Sequence, residues 1–337
     1  MALKWMEGFE LDRQAIAFED KYATYAGPSS TGYTGRISGN AGKPTYLTTP
    51  SLGSDDEWVT GFGFKKSSSA LHHYFDIYLG ASRQLTLQFY SNGIGVNYNL
   101  RLLRGATVLA TGTTDLAFDT WYFIELKALI DPSAGAYEVR INEALEFSDT
   151  GANTAESGGA NADVFHFRNN FTQLLDDWYV CDTTGATNND FLGDCQIEAI
   201  FASGAGDRTE FSAQPASNNW DRINDPINNY STADYVYDDT LGQGDLYEFE
   251  DPGSITGTIL GIALINYAAL DAAGSRVMRN IFKTDGGGTE YDLTGSFTVA
   301  STDHAGFVKI EEENPDTSAA WTDSDLSNGQ FGVEVVS

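Results

Sequence analysis

Basic side chains are scarce in this chain. Its 337 residues include 19 lysines and arginines against 48 aspartates and glutamates, which gives a formal net charge of -29. The imbalance is largest after residue 190, where 25 acidic side chains accompany only 6 basic ones. A field of this sign repels phosphate backbones and anionic lipid surfaces. We therefore expect no nucleic-acid partner and no insertion into a membrane.

Cysteine and long apolar runs are also nearly absent. The two cysteines, Cys181 and Cys195, form no C-x-x-C pair and have no histidine close in sequence, so a zinc site is not expected. The sequence leaves open whether they are paired. No apolar run approaches the 18 residues of a membrane-spanning helix, and the first ten residues lack the apolar segment of a signal peptide. We expect a soluble protein made in the cytoplasm.

Catalytic motifs are missing as well. The chain has 4 histidines and none of the patterns G-x-S-x-G, H-E-x-x-H, Walker A or G-x-G-x-x-G. Glycoside hydrolysis needs two carboxylates that converge on one sugar. On predicted strands of the first half, Glu125, Glu138 and Asp177 have no acidic partner two residues away. His166 alternates with aromatic residues and is predicted to lie on a sheet surface rather than to act as a base. The sequence therefore predicts a protein that is not an enzyme.

The chain does have repeated apolar alternation with a period of two, which is typical of half-buried β-strands. In 84–90, Leu85, Leu87 and Phe89 share one face while the polar residues between them share the other. Further strands are predicted at 58–64, 74–79, 94–102, 121–130, 137–141, 164–167, 177–181, 196–201, 234–237, 246–250, 259–270, 277–283, 307–311 and 331–336. A helix remains an alternative for 259–270, and glycines at 204–206 indicate a turn.

This pattern predicts an all-β protein in which stacked sheets form a sandwich or jelly roll. The segment 182–190 contains turn formers and no large apolar side chain, so we predict a linker there. The predicted organisation is a jelly-roll sandwich over 1–181, the linker, and a second β-sandwich domain over 191–337.

Two kinds of binding residue can be proposed from the sequence. Trp220 and Trp321 stand in polar surroundings, and we predict a contact surface or a sugar-stacking platform there, with a lid over the core as the alternative for each. Trp5, Trp58, Trp121 and Trp178 are predicted to be core residues instead. Asp182, Asn188 and Asp190 are candidate calcium ligands because they cluster oxygen donors in one loop, although an EF-hand spacing is absent. No other cofactor is indicated.

Two segments resemble the laminin-G/concanavalin-A-like jelly rolls. The run 120–127, Thr-Trp-Tyr-Phe-Ile-Glu-Leu-Lys, followed after a turn by 137–142, is similar to a strand pair of that fold. The run 175–182, Leu-Asp-Asp-Trp-Tyr-Val-Cys-Asp, resembles its late strand. The resemblance implies that this late strand pairs with an N-terminal strand near Trp5.

A broader resemblance links the opening 1–9, the block 176–194 and the ending 319–336 to tailed-bacteriophage and prophage structural proteins. This resemblance implies a virion component that acts through contacts with itself, as a symmetric homo-oligomer, and with other virion proteins. It brings no catalytic residues with it. Two alternatives stay open: a carbohydrate- or receptor-binding module of a tail fibre, and a polysaccharide depolymerase.

Overall fold

The computed structural model describes residues 2–9, 21–26, 33–37, 41–66, 73–91, 97–156, 159–168, 173–224, 233–253, 255–284 and 288–337. Strands dominate these residues, and the fold class predicted from the alternation is confirmed. The chain divides into two units: Met1–Ala15 with Tyr22–Glu198, and Ile16–Lys21 with Ala199–Ser337.

The first unit is built from fourteen described strands. They are β1 (Leu3–Glu7), β2 (Thr24–Ala26), β3 (Tyr46–Thr48), β4 (Glu57–Lys66), β5 (His73–Leu79), β6 (Ser82–Ser91), β7 (Asn97–Arg104), β8 (Thr107–Thr111), β9 (Leu116–Ala117), β10 (Trp121–Leu129), β11 (Gly135–Ile141), β12 (Ala144–Ala152), β13 (Val164–Arg168) and β14 (Gln173–Asp182). They form one sheet in the order β1-β14-β4-β10-β11-β12 and a second in the order β2-β3-β13-β5-β6-β7-β8, with β9 beside β7.

The two sheets of the first unit pack face to face through aromatic side chains. Phe62 on β4 meets Phe75 on β5 and Phe167 on β13, with ring centroids 5.2 and 4.9 Å apart. Trp178 on β14 contacts the same two rings. Because every second residue on these strands faces inward, each sheet contributes one apolar layer to the core. The first unit is therefore the jelly-roll sandwich predicted for the N-terminal half.

Several local predictions for this unit are confirmed. β1 pairs antiparallel with β14 and sets Trp5 opposite Val180, as the resemblance implied. The turn expected between 120–127 and 137–142 falls between β10 and β11, where the Asp131 carboxylate accepts hydrogen bonds from the backbone of Ser133 and Ala134. Trp5, Trp58 and Trp178 are buried, but Trp121 is only half-buried at the start of β10.

The predicted linker at 182–190 belongs to the first unit instead. Lys127 pairs with Asp190 at 3.3 Å, and the backbone N–H of Gly193 donates to Glu125 on the sheet. Arg36 pairs with Asp194. A stretch without large apolar side chains can still be held in place by polar contacts, and the division between the units falls after Glu198 for this reason.

The second unit has ten described strands and one described α-helix. The strands are β15 (Ala202–Thr209), β16 (Ser212–Gln214), β17 (Tyr235–Tyr237), β18 (Gly244–Phe249), β19 (Ile262–Ala268), β20 (Arg276–Lys283), β21 (Glu290–Asp292), β22 (Phe297–Val299), β23 (Ala305–Glu311) and β24 (Gln330–Val335). The helix is α1 (Asp323–Asn328), whose first turn is closed by a capping box between Thr322 and Asp325.

A six-stranded sheet in the order β15-β18-β24-β20-β21, with β22 beside β20, packs against the ribbon β19-β23. Their common core contains Phe282, Trp321 and Phe331, covered in part by Ile262 and Leu264 of the ribbon. The second domain is thus also a β-sandwich, and the strand alternative for 259–270 is the right one.

Two sequence predictions fail in this unit. The segment 196–201 is not a strand, and glycines 204 and 206 lie inside β15 rather than in a turn. Both glycines face close neighbours: a Cβ at Gly206 would lie 2.6 Å from the Leu246 backbone. Here the glycines allow two strands to approach closely. Glycines in that role cannot be told apart in the sequence from glycines in a turn.

No helix in the described part of the chain is long and apolar enough to cross a membrane. Cys181 and Cys195 do not form a disulfide with each other, which answers the question that the sequence left open. Burial raises the pKa of the Cys195 thiol to about 12, so it is held in its neutral form.

Candidate functional site

The eight-stranded sheet of the first unit carries polar and aromatic side chains on the face that points away from the core. Since Phe75, Leu87 and Phe167 point inward, the residues that alternate with them point outward. We call this surface the polar face. Its members are Tyr46, Thr48, Tyr74, Asp76, Tyr78, Arg83, Thr86, Gln88, Tyr90, Asn99, Arg101, His166 and Arg168.

Strand register arranges much of the polar face in two adjacent rows. One row runs Tyr46, Arg168, Tyr74, Gln88 and Arg101 across five strands. The next row runs Thr48, His166, Asp76 and Thr86. With neighbouring strands about 4.8 Å apart, the longer row spans about 19 Å. An extended ligand could lie along it and meet side chains from every strand.

Asp76 organises the centre of the polar face. It is fully buried, and Arg168 reaches it with two nitrogens, Nε and Nη2, the latter 3.2 Å from Oδ1. Thr86 Oγ1 donates to Asp76 Oδ1 at 2.5 Å. The guanidinium carbon of Arg168 lies 4.8 Å from the centre of the Tyr74 ring. A two-pronged ion pair of this kind fixes both side chains in one geometry.

His166 is buried between two tyrosines of the polar face. Its ring lies edge-on to Tyr46 at 4.0 Å between centroids and 5.7 Å from Tyr78. Burial lowers the pKa of His166 to about 4; nearby Asp76 opposes the shift and Arg168 adds to it. The imidazole is therefore neutral near pH 7. It was predicted to lie on the sheet surface, and it does face away from the core, but only 4% of it is exposed.

Three buried polar atoms on the polar face have no hydrogen-bond partner among the described residues. They are Thr48 Oγ1, His166 Nε2 and Arg101 Nε. Thr48 and His166 are opposite each other in register, so two of these three residues are neighbours on the sheet. Buried polar groups in folded proteins nearly always have partners. These three atoms are enclosed by neighbouring side chains, so a ligand would contact the more accessible groups of the polar face around them.

The calcium candidates are not brought together as a metal site. Asp182 is paired with Lys4 at 2.7 Å and accepts two hydrogen bonds from Thr184. Asp190 pairs with Lys127 and accepts from the backbone of Phe191. In the described residues, no group of three or more histidine, cysteine, aspartate or glutamate side chains could hold a metal ion.

The two candidate tryptophans, Trp220 and Trp321, differ in their exposure to solvent. Trp321 is 2% exposed and donates from its indole nitrogen to the Glu311 carbonyl, so it cannot offer a stacking face to a ligand. It is a core residue, which was the alternative considered for it. Trp220 is half-buried in a 3₁₀ helix, Asn219–Arg222, and remains available for contact.

An acidic pair that the sequence search overlooked lies at a bulge in β14. Asp176 and Asp177 are adjacent, and Asp177 has a φ of +50°. Both carboxylates contact Arg36: its backbone N–H donates to Asp176, and its guanidinium lies 2.9 Å from Asp177. Both are at least 98% buried, and Arg36 also binds the Cys195 carbonyl. This cluster holds the segment after β14 in place and offers no open site.

The sequence contained a signal for the polar face that a motif search does not detect. The alternation of 84–90 already separated Thr86 and Gln88 from the apolar residues, and Arg101 stood among polar positions of the next strand. Only register shows that His166 and Asp76 lie beside them, because those residues come from strands about 90 positions apart.

No protein-family model and no curated protein sequence matches the chain. Among solved structures it is similar to domain 4 of AbnA, an extracellular arabinanase from Geobacillus stearothermophilus solved with arabinotriose (17% identity, TM-score 0.37, 54% of this chain and 92% of that one). It is also similar to the CBM2 module of the evolved Dit of Lactobacillus casei BL23 phage J-1 (12%, 0.33, 53% and 94%). A third is the Caenorhabditis elegans galectin LEC-6 (8%, 0.29, 40% and 90%). Similarity at this level says nothing about what this chain binds.

Proposed function

We propose that the first unit binds a saccharide on its polar face. The observation that carries this proposal is the row of outward aromatic and polar side chains that the register aligns across five strands, namely Tyr46, Arg168, Tyr74, Gln88 and Arg101. A sugar ring has hydroxyl groups that can form hydrogen bonds with such polar side chains and apolar C–H faces that can pack on aromatic rings. The polar face offers both kinds of contact in one place.

The aromatic contribution comes from tyrosines at different depths. Tyr46 is 37% exposed, while Tyr74 and Tyr78 are half-buried. Tyrosine pairs a flat apolar surface with a hydroxyl, which suits a partner that is apolar on one side and polar on the other. Gln88 and Thr86 lie on the neighbouring strand, opposite Tyr74 and Asp76, and supply amide and hydroxyl groups. The arrangement favours an extended chain of sugars over a small apolar ligand.

We further propose that the bound saccharide is not hydrolysed. Asp76 is the one carboxylate among the described members of the polar face, and it is held by Arg168 and Thr86. Hydrolysis of a glycosidic bond requires two carboxyl groups placed on either side of it. A rise in reducing ends when the protein is incubated with a bound polysaccharide would contradict this part of the proposal and favour the depolymerase alternative.

The resemblance of 1–9, 176–194 and 319–336 to tailed-phage structural proteins supplies the setting. We propose that the chain is a virion component that assembles with itself and with other virion proteins, and that the polar face holds a host-surface glycan. Mass spectrometry of purified particles from the source phage tests this setting. If the chain is missing from intact particles, the virion part of the proposal is wrong, whatever the polar face binds.

Saccharide binding is tested with a glycan array probed by the full chain and by two tyrosine variants. Tyr46→Ala removes an aromatic ring from the polar face. Tyr235→Ala removes a ring that is 44% exposed in the second unit, and it serves as the matched control. We expect binding that falls at least tenfold in Tyr46→Ala and is unchanged in Tyr235→Ala. The reverse result would move the site to the second unit, and no binding to any glycan would reject the proposal.

A further inference from the structure

The polar face is positively charged within a strongly acidic protein. It contains three arginines, Arg83, Arg101 and Arg168, against one aspartate, Asp76, and with Asp115, which accepts a hydrogen bond from Asn99 at its edge, the local formal charge is +1 (three positive, two negative). The whole chain has a formal net charge of -29. The segments 67–72, 92–96 and 169–172, which adjoin these strands in sequence, contain no aspartate or glutamate. The charge of the polar face therefore differs in sign from that of the protein.

Arg101 lacks the carboxylate partner that most of the described arginines have. It forms no ion pair with a described carboxylate, and its Nε is buried without a partner. Apart from Arg83, each other arginine of the described segments pairs with a carboxylate: Arg36, Arg104, Arg140, Arg168, Arg208, Arg222, Arg276 and Arg279. In so acidic a chain, an arginine that pairs with no described carboxylate is available for a ligand.

Arg101 is also held in position. Its guanidinium carbon lies 3.3 Å from the centre of the Tyr90 ring, and in register it is opposite Gln88. Stacking on an aromatic ring fixes the plane of the guanidinium and leaves its outer nitrogens to form hydrogen bonds. A planar guanidinium binds a carboxylate or sulfate through two parallel hydrogen bonds, which is stronger than its bonds to neutral oxygens.

We propose that the polar face selects an acidic saccharide, in which Arg101 binds a carboxylate or sulfate group while Gln88 and Tyr74 contact the sugar. This inference rests on the proposed saccharide binding and adds the class of ligand. Arg168 is not the selecting group, because its charge is already matched by Asp76. Arg83, opposite Tyr78, adds a second positive charge at the other end of the face.

The chain as a whole still repels long polyanions, since its net charge is negative. At about 0.15 M salt the screening length is about 8 Å, so a short ligand on the polar face is affected mainly by the nearby arginines. Short oligosaccharides at this ionic strength are therefore the correct probes. The measured affinity of a long polymer would combine its attraction to the polar face with its repulsion by the acidic surface around that face.

The test compares trigalacturonate with its methyl ester, which keeps the same sugar backbone but lacks the charges. Isothermal titration with the full chain at 0.15 M salt should show the acid bound at least tenfold more tightly than the ester. Arg101→Gln should remove this preference, and Arg101→Lys should restore only part of it because the two-pronged contact is lost. Arg276→Gln, an exposed arginine of the second unit, is the control that should leave the preference unchanged. A sulfated galactan trisaccharide distinguishes the two anions: tighter binding than the carboxylated sugar identifies sulfate as the preferred group.

The wild-type comparison alone can overturn the inference, even if an Arg101 variant fails to fold. Equal binding of the acid and the ester, or array binding confined to neutral glycans, would reject selection for acidic sugars while leaving saccharide binding intact. Absence of binding to every acidic and neutral glycan would instead reject the proposed function itself.

Discussion

Tyr179 and Glu125 form a buried hydrogen bond in which the tyrosine Oη donates to Glu125 Oε1 at 2.6 Å. The same two side chains also accept hydrogen bonds from the segment after β14. Leu192 N–H donates to Tyr179 Oη, and Gly193 N–H donates to Glu125 Oε1. Burial raises the pKa of both groups. This pair explains why residues after 182 belong to the first unit.

Replacement of Tyr179 by phenylalanine should therefore destabilise the first unit. The change leaves Leu192 N–H without its acceptor and removes one of the two hydrogen bonds to Glu125 Oε1, and an unsatisfied buried polar group costs about 1–3 kcal/mol. Urea unfolding monitored by near-UV circular dichroism measures the loss. Tyr235→Phe, at an exposed position, is the control and should change the free energy of unfolding by less than about 0.5 kcal/mol. Equal effects of the two variants would contradict the structural role of the pair.

Asp176 and Asp177 should respond differently to amide replacement. Burial, and then the neighbouring Asp177, raise the pKa of Asp176 to about 8, so Asp176 binds a proton in the folded state over most of the neutral range. Its contribution to stability is complete below about pH 4 and is lost as the pH rises through about 8. Asp176→Asn should be nearly neutral at about pH 4 and increasingly stabilising relative to wild type as the pH rises from about 4 to about 8.

Asp177→Asn is the matched control for that experiment. Asp177 accepts the Nε hydrogen bond of Arg36 and lies 2.9 Å from its Nη2, so its loss weakens the pairing of a buried cation. Breaking a buried pair typically costs about 3–5 kcal/mol. We expect this loss at pH 6, measured by urea unfolding. If both variants lose stability equally at pH 6, the assignment of the proton to Asp176 is wrong.

His166 should make the stability of the first unit depend on pH below neutrality. Its folded pKa is about 4, below the ordinary value of 6.5, so the unfolded chain binds the proton more readily. The free energy of unfolding should fall as the pH decreases from about 6.5 to about 4, by about 2 kcal/mol after allowance for solvent screening. The comparison of wild type with His166→Gln isolates this contribution, since the variant should lack it.

His304→Gln, in the second unit, is the control for the histidine experiment. It should preserve the difference between pH 6.5 and pH 4 that wild type shows. A His166→Gln variant with the same pH dependence as wild type would mean that His166 is solvated and protonates normally, and the description of a neutral, buried imidazole on the polar face would be incorrect.

Replacing each candidate tryptophan by alanine should show, from the loss of stability, which of the two is a core residue of the second unit. Trp321 packs on Phe282 and Phe331 at 5.0 and 5.7 Å, so Trp321→Ala should cost about 3–5 kcal/mol. Trp220→Ala, at a half-buried position, should cost less. Amide hydrogen exchange of β20 and β24 reports the loss. A Trp321→Ala variant as stable as wild type would place that side chain outside the core.

Part of the candidate site can be read from the sequence, because alternation separates inward from outward residues on each strand. Thr86, Gln88 and Arg101 stand at outward positions by this rule alone. The rule does not say which strands are neighbours. His166 and Asp76 are about 90 residues apart in the chain, and their pairing depends on a register set by the whole sheet.

The acidic pair on β14 shows a second limit of sequence reasoning. Alternation places adjacent residues on opposite faces, which would separate Asp176 from Asp177. The bulge and the positive φ of Asp177 break the alternation and direct both carboxylates to Arg36. A bulge inserts one residue into one strand, and nothing in the local composition of 175–182 distinguishes it from a regular strand.

The sequence by itself determined the all-β class, the positions of most strands, the pairing of β1 with β14 and the acidic character of the chain. These properties follow from local periodicity, from a family resemblance and from simple counts. Only the tertiary structure decided where the units divide, that Trp321 is buried, and that an acidic protein carries a positive polar face. Those depend on which side chains meet across strands distant in the chain, and such contacts arise from register and packing rather than from any local pattern.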